Sequence, residues 1–161
     1  MKPVLLLSML AVLLTHPAQA APSDDISMYA VSLVGSPYRL GGTSPDTGLD
    51  CSGFVDHVFR QTIGIQLPHN SRAISEATQP LDQTDLQPGD LVFFNTLDQA
   101  FSHVGIYLGD GRFVHATSSR TGAVMISRLN DRYWQERFDG ARRVALPEAR
   151  PSALAAAEQA R

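Results

Sequence analysis

The stretch His103-Val-Gly-Ile-Tyr-Leu-Gly-Asp-Gly-Arg-Phe-Val-His-Ala116 decides how this chain folds. Two short runs rich in β-branched and aromatic residues flank Gly109-Asp110-Gly111, so the segment reads as a β-hairpin. Its register decides where the two histidines point. A two-residue turn at Asp110-Gly111 sets Gly109 opposite Arg112 and sends His103 and His115 to opposite faces. A three-residue loop, with Gly111 in the left-handed position, sets Leu108 opposite Arg112 and Gly105 opposite His115. His103, Gly105, Tyr107, Phe113 and His115 then share one face, while Val104, Ile106, Leu108 and Val114 form an apolar face that belongs to a core. In that register the histidines are diagonal cross-strand neighbours, about 7–8 Å apart at the backbone; a one-residue slip separates them. Gly105, lacking a side chain, leaves room for another element beside His103, and the element expected there is the helix that carries Cys51.

Outward from the hairpin the texture stays β-like. Residues 91–94, 124–128 and 142–146 read as further strands, with Pro88-Gly89-Asp90 as a turn, and 131–138 as a short helix holding the only tryptophan, Trp134. The N-terminal half is different. Apolar residues at 26, 29, 30, 33 and 34 have helical spacing, and Gly35-Ser36-Pro37 ends that helix. Residues 41–48 are rich in Gly, Ser, Thr and Pro and read as loop. Asp50 then caps a helix in which Cys51, Phe54, Val55, Val58 and Phe59 follow the i, i+3, i+4, i+7, i+8 stripe. Helices first and strands after predict an α+β fold, with the Cys51 helix packed on a central antiparallel sheet.

The ends read differently from the middle. Lys2, the apolar run 4–14 and Ala18-Gln19-Ala20 have the layout of an export signal with a small-x-small cleavage site. The run falls short of the roughly 20 apolar residues a membrane span needs. Residues 1–20 are therefore expected to be removed, leaving a domain over 21–146 and a flexible or disordered tail over 147–161. No cysteine follows the signal to take a lipid, so a soluble exported protein is expected, in the periplasm or released outside the cell. The chain of 161 residues carries 13 basic residues, Lys2 being the only lysine, against 16 acidic ones. That balance argues against nucleic acid, which is normally held by a basic patch, and supplies no polybasic membrane anchor.

Cys51 is the only cysteine, so it cannot pair within the chain, although exported proteins usually pair theirs. A thiolate is favoured at a helix N-terminus and beside an imidazolium. Asp50 partly opposes the first effect, so a histidine has to do much of the work. Of the five histidines, His16 lies in the signal, His57 is off the apolar stripe and reads as solvated, and His69 sits in a polar loop. His103 and His115 remain. In the three-residue register His103 deprotonates Cys51, or holds it as a thiolate–imidazolium pair, and His115 orients His103. The oxyanion would be held by the Cys51 backbone N–H and one side-chain donor. On spacing alone two other readings stay open: unrelated strand histidines beside a buried cysteine, and a zinc site of Cys51, His103 and His115, for which no fourth ligand is evident.

Five segments together resemble the NlpC/P60 family of papain-like cell-wall peptidases: Tyr38-Arg-Leu-Gly-Gly42, Asp50-Cys-Ser-Gly-Phe54, Pro88-Gly-Asp-Leu-Val-Phe-Phe94, Ser102 through Gly111, and Phe113-Val-His-Ala116. Gly140-Ala-Arg-Arg-Val144 resembles the family's last strand. The resemblance implies a papain-like α+β fold and a Cys-His-His triad on Cys51, His103 and His115, with no metal or other cofactor. It also implies that Tyr38 lines the site and donates to the oxyanion, with Asp50 and Ser52 near a substrate amine. His69 is a departure, since relatives often carry Arg there. The implied substrate is a peptidoglycan stem peptide, cut between D-glutamate and diaminopimelate or, in some relatives, at the D-alanyl–diaminopimelate cross-link. A monomer is expected. A papain-like amidase or acyltransferase acting on another amide or lipid, and a wall-binding scaffold without catalysis, are the competing readings.

Overall fold

The computed structural model describes residues 22–117 and 122–146. The expected export signal with His16, and the expected tail, lie outside the described residues. Helix α1 spans Pro22–Ser32, starting earlier than its apolar spacing suggested, because Pro22 suits a first turn and Asp24 and Asp25 complement the helix dipole there. The short strands β1 (Thr43–Ser44) and β2 (Gly48–Leu49) pair within the segment read as loop. Helix α2 spans Cys51–Ile63, and its left-handed C-cap Gly64 donates its N–H to the Phe59 carbonyl.

Helix α3 (Ser71–Ala77) was not anticipated; Asn70 caps it, its side-chain oxygen accepting the Ala73 N–H at 3.0 Å. Strand β3 (Gln79–Leu81) and a 3₁₀ turn (Gln83–Asp85) follow. The remaining strands are β4 (Leu91–Phe94), β5 (His103–Gly109), β6 (Arg112–Ala116), β7 (Val124–Arg128) and β8 (Phe138–Arg143), with helix α4 (Arg132–Gln135) before β8. The six strands form one antiparallel sheet in the order β3-β8-β4-β5-β6-β7.

The fold is therefore α+β, as the element order predicted. Strand β8 begins four residues before the expected 142–146, because Phe138 pairs with Phe94 and a bulge between Phe93 and Phe94 carries the pairing on. The same pairing shortens α4, which was expected to reach Phe138.

Both faces of the sheet are covered, which is why β4 is buried at every position and shows no alternation. On one face Leu91, Phe93, Val104, Ile106 and Val114 pack with Ile26, Ala30, Phe54, Val55, Val58 and Phe59 of α1 and α2. On the other, Val92, Phe94 and Phe113 pack with Leu129, Tyr107, Trp134 and Phe138. Each fully buried Phe, Leu or Ile contributes about 1.5–3 kcal/mol by leaving water. The turn Pro88-Gly89-Asp90 is locked to β8, since Arg143 reaches both carboxylate oxygens of the buried Asp90 at 2.7 Å.

The β5–β6 hairpin combines the two registers weighed from sequence. Asp110 and Gly111 both take positive φ (52° and 69°), the mark of a two-residue type I′ turn, and Gly109 pairs with Arg112. A shift between Tyr107 and Gly109 then restores Tyr107 opposite Phe113 and Ile106 opposite Val114. His103 and His115 thus share a face, and a bulge beside a two-residue turn brings them there, not a three-residue loop. The expectation for Gly105 needs correction. A Cβ at Gly105 would lie 2.8 Å from Phe113 Cδ2, 2.9 Å from the Val114 carbonyl oxygen and 3.1 Å from His115 Cβ. The missing side chain accommodates strand β6, whereas α2 packs on the opposite face.

Candidate active site

The start of α2 is organised by Asp50. Its Oδ1 accepts the Gly53 N–H at 2.7 Å, the Ser52 hydroxyl at 3.0 Å and His69 Nε2 at 3.0 Å, and its Oδ2 accepts the Gly41 N–H at 2.9 Å. These bonds fold the loop before β1 onto the helix start. The approach is so close that a Cβ at Gly53 would overlap the Gly42 carbonyl oxygen. Ser52 is buried and its hydroxyl is spent on Asp50. His69 is half-exposed and covers the same carboxylate.

Cys51 begins α2 and packs against the helix-side core. Burial, and then the Asp50 charge, push its thiol up to about 11, while the backbone N–H groups of Val104, Ser52 and Cys51 itself aim at the sulfur and pull the other way. Val104 of that same core lies at the start of β5, next to His103. Tyr38 lies within electrostatic range of Cys51 and Asp50, and burial first, then the charge each of those groups carries when ionised, keeps its hydroxyl protonated to higher pH than usual.

His103 Nε2 and His115 Nδ1 are 2.8 Å apart, with ring planes nearly perpendicular. His115 Nε2 is 3.0 Å from the Ser127 hydroxyl on β7. His103 is 9% exposed and His115 not at all. Burial lowers His103 to about 4, and burial plus the neighbouring His103 lowers His115 to about 2, so both rings are neutral near pH 7. Trp134 explains much of that burial. Its indole stacks on His103 (5.6 Å, 24°) and meets His115 edge-on at 4.8 Å.

The structure thus gathers Tyr38, Asp50, Cys51 and Ser52 at one helix start and sets His103 and His115 on adjoining strands. His57 is not solvated as expected. It is part-buried, and its Nε2 meets the Tyr29 hydroxyl at 3.1 Å. Trp134 and Ser127 were not found by sequence reasoning. Trp134 stood out only as the sole tryptophan, and Ser127 had no signal at all, because both reach the histidines through packing of elements distant in the chain. Among the described residues no group of His, Cys, Asp and Glu is arranged to hold a metal ion, and no helix is long and apolar enough to cross a membrane.

Comparison with known proteins agrees with this architecture. The sequence model of the NlpC/P60 family matches residues 35–143. Murein DD-endopeptidase MepH of Escherichia coli K12 is 37% identical over 138 residues, covering 83% of this chain and 50% of that protein. Gamma-DL-glutamyl hydrolase of Bacillus subtilis 168 is 41% identical over 142 residues, covering 83% of this chain and 33% of that protein. The chain thus spans half or less of the length of these two relatives. A crystal structure of an NlpC/P60 family protein from Bacillus cereus superposes with a TM-score of 0.70 at 36% identity, covering 81% of this chain and 42% of that one.

Proposed function

The chain belongs to the NlpC/P60 family, and from that premise we propose that it is a cysteine peptidase hydrolysing an amide bond in peptidoglycan stem peptides. One observation carries the reading. Cys51 opens α2 and packs against the core that includes Val104, the neighbour of His103, and His103 meets His115 through Nε2, which leaves His103 Nδ1 for the thiol.

The neutral state of both partners argues for general-base attack instead of a standing thiolate–imidazolium pair. As Cys51 Sγ bonds to the substrate carbonyl carbon, the thiol proton passes to His103 Nδ1 and the carbonyl electrons move onto oxygen. The Cys51 N–H and the Tyr38 hydroxyl, which stays protonated, stabilise that oxyanion. On collapse the C–N bond breaks and His103 returns the proton to the leaving amine. Water then attacks the thioester, giving its proton to His103 Nδ1, and the acid and free thiol are released. His115 orients His103. Among the described residues Asp50 Oδ2 accepts the Gly41 N–H alone, which leaves a lone pair for a substrate ammonium, and Ser52 steadies that carboxylate.

The bond favoured is D-glutamyl–diaminopimelate, in keeping with the gamma-DL-glutamyl hydrolase relative. The second reading, the D-alanyl–diaminopimelate cross-link, is supported by the similarity to a DD-endopeptidase. Export by residues 1–20, a catalytic domain over 21–146 and action in the periplasm belong to the same proposal. Incubation with purified peptidoglycan, followed by mass spectrometry of the muropeptides, is the test. Cleavage should vanish in Cys51→Ala and His103→Ala and persist at a reduced rate in His115→Ala. Undiminished cleavage by Cys51→Ala would contradict the reading, and the product masses name the bond.

A further inference from the structure

Strands β5, β6 and β7 carry a hydrogen-bonded row across the sheet: His103, His115 and Ser127, joined at 2.8 and 3.0 Å. The row is diagonal. Phe113 faces Ser127 and Met125 faces His115, so Ser127 reaches His115 from two residues along the edge strand. Each neutral imidazole carries one N–H, and a row of two rings has two self-consistent settings. In one, His103 Nε2–H donates to His115 Nδ1, His115 Nε2–H donates to Ser127 Oγ, and His103 Nδ1 is a bare lone pair. In the other every bond reverses, and His103 Nδ1 holds a proton.

The role of His103 in the proposed reaction discriminates between them. A protonated His103 Nδ1 would leave the thiol proton without an acceptor, whereas a bare Nδ1 accepts it. Ser127 lies on an edge strand and is part-exposed, so its own hydroxyl proton can go to solvent while its oxygen accepts.

We propose that Ser127 is a positioning residue that selects the working tautomer: its hydroxyl accepts the His115 Nε2–H, which leaves the His103 Nδ1 lone pair for the Cys51 proton. This rests on the peptidase reading above. Removing the hydroxyl leaves a buried His115 N–H without an acceptor, the kind of group that is costly to leave unmade, and so tips the row toward the reversed setting.

The test compares Ser127→Val with Ser127→Thr, two β-branched residues of similar shape that differ in the hydroxyl. Partners one step removed from metal-bound imidazoles act by roughly 10- to 100-fold. A loss of that order is expected in kcat for Ser127→Val with KM little changed, and near-normal kcat for Ser127→Thr. Nitrogen-15 NMR of the imidazoles should show Nε2–H on both His103 and His115 in the wild type and in Ser127→Thr, and a shift toward Nδ1–H in Ser127→Val. Equal kcat for the two variants, or an unchanged tautomer in Ser127→Val, would overturn the proposal. If Cys51→Ala kept wild-type activity the peptidase reading would fail instead, and the tautomer measurement would still judge Ser127.

Discussion

Cys51 sits between opposed influences: the amide groups around its sulfur favour a thiolate, and burial beside Asp50 disfavours one. Burial wins, and the thiol is pushed up to about 11. The free protein should therefore react slowly with iodoacetamide near pH 7, and its alkylation rate should climb with pH toward that value. A plateau between pH 4 and 8 would instead reveal a standing ion pair with His103. At this scale the sequence was partly legible. The cysteine, its capping aspartate and both histidines stand out by residue type and spacing. Trp134 and Ser127 do not, because a tryptophan in a short helix and a serine in a strand have no local pattern that points to a histidine. Nor did spacing reveal His69 against Asp50, a contact between a loop and a helix start 19 residues apart.

Among the elements, the hairpin of β5 and β6 carries most of the consequence. Asp110-Gly111 was readable as turn chemistry, and the alternation of Val104, Ile106 and Val114 as a core face. The bulge that reconciles them was not readable, because it depends on β5 keeping register with β4 on its other side, where Val92 faces Gly105. Gly105 is the point where this geometry is tightest. Gly105→Ala should destabilise the protein by about 1–3 kcal/mol, as overpacking usually does, and should displace His115 as well. Denaturant melts and the His103–His115 NMR signals check this. An unchanged midpoint with unchanged imidazole signals would contradict the contact geometry. Helix α2, by contrast, was legible in its cap and its stripe, which are local chemistry, while its end at Gly64 came from the structure.

Across the whole molecule, the price of a buried, neutral histidine pair appears in the pH dependence of stability. Unfolded histidines titrate near 6.5, and the folded ones only at about 4 and about 2. Between these values the unfolded chain binds more protons, so stability falls as pH drops below about 6.5. On the alkaline side the folded thiol holds its proton to about 11, above its ordinary value, so stability falls again as pH rises past that ordinary value. His115→Asn should lessen the acid loss. Its stability relative to wild type should improve from pH 7 to pH 5 in chemical denaturation, and parallel profiles would count against neutral burial.

The sequence by itself determined the α+β class, the capped helix and most of the strands, and singled out Cys51, His103 and His115 as candidates, because turn, cap and periodic signals act over a few residues. Only the tertiary structure decided that both histidines share a face, that Trp134 shields them and that Ser127 ends their row. Those outcomes depend on the pairing of β4, β5, β6 and β7 and on packing from α4, which no local pattern encodes.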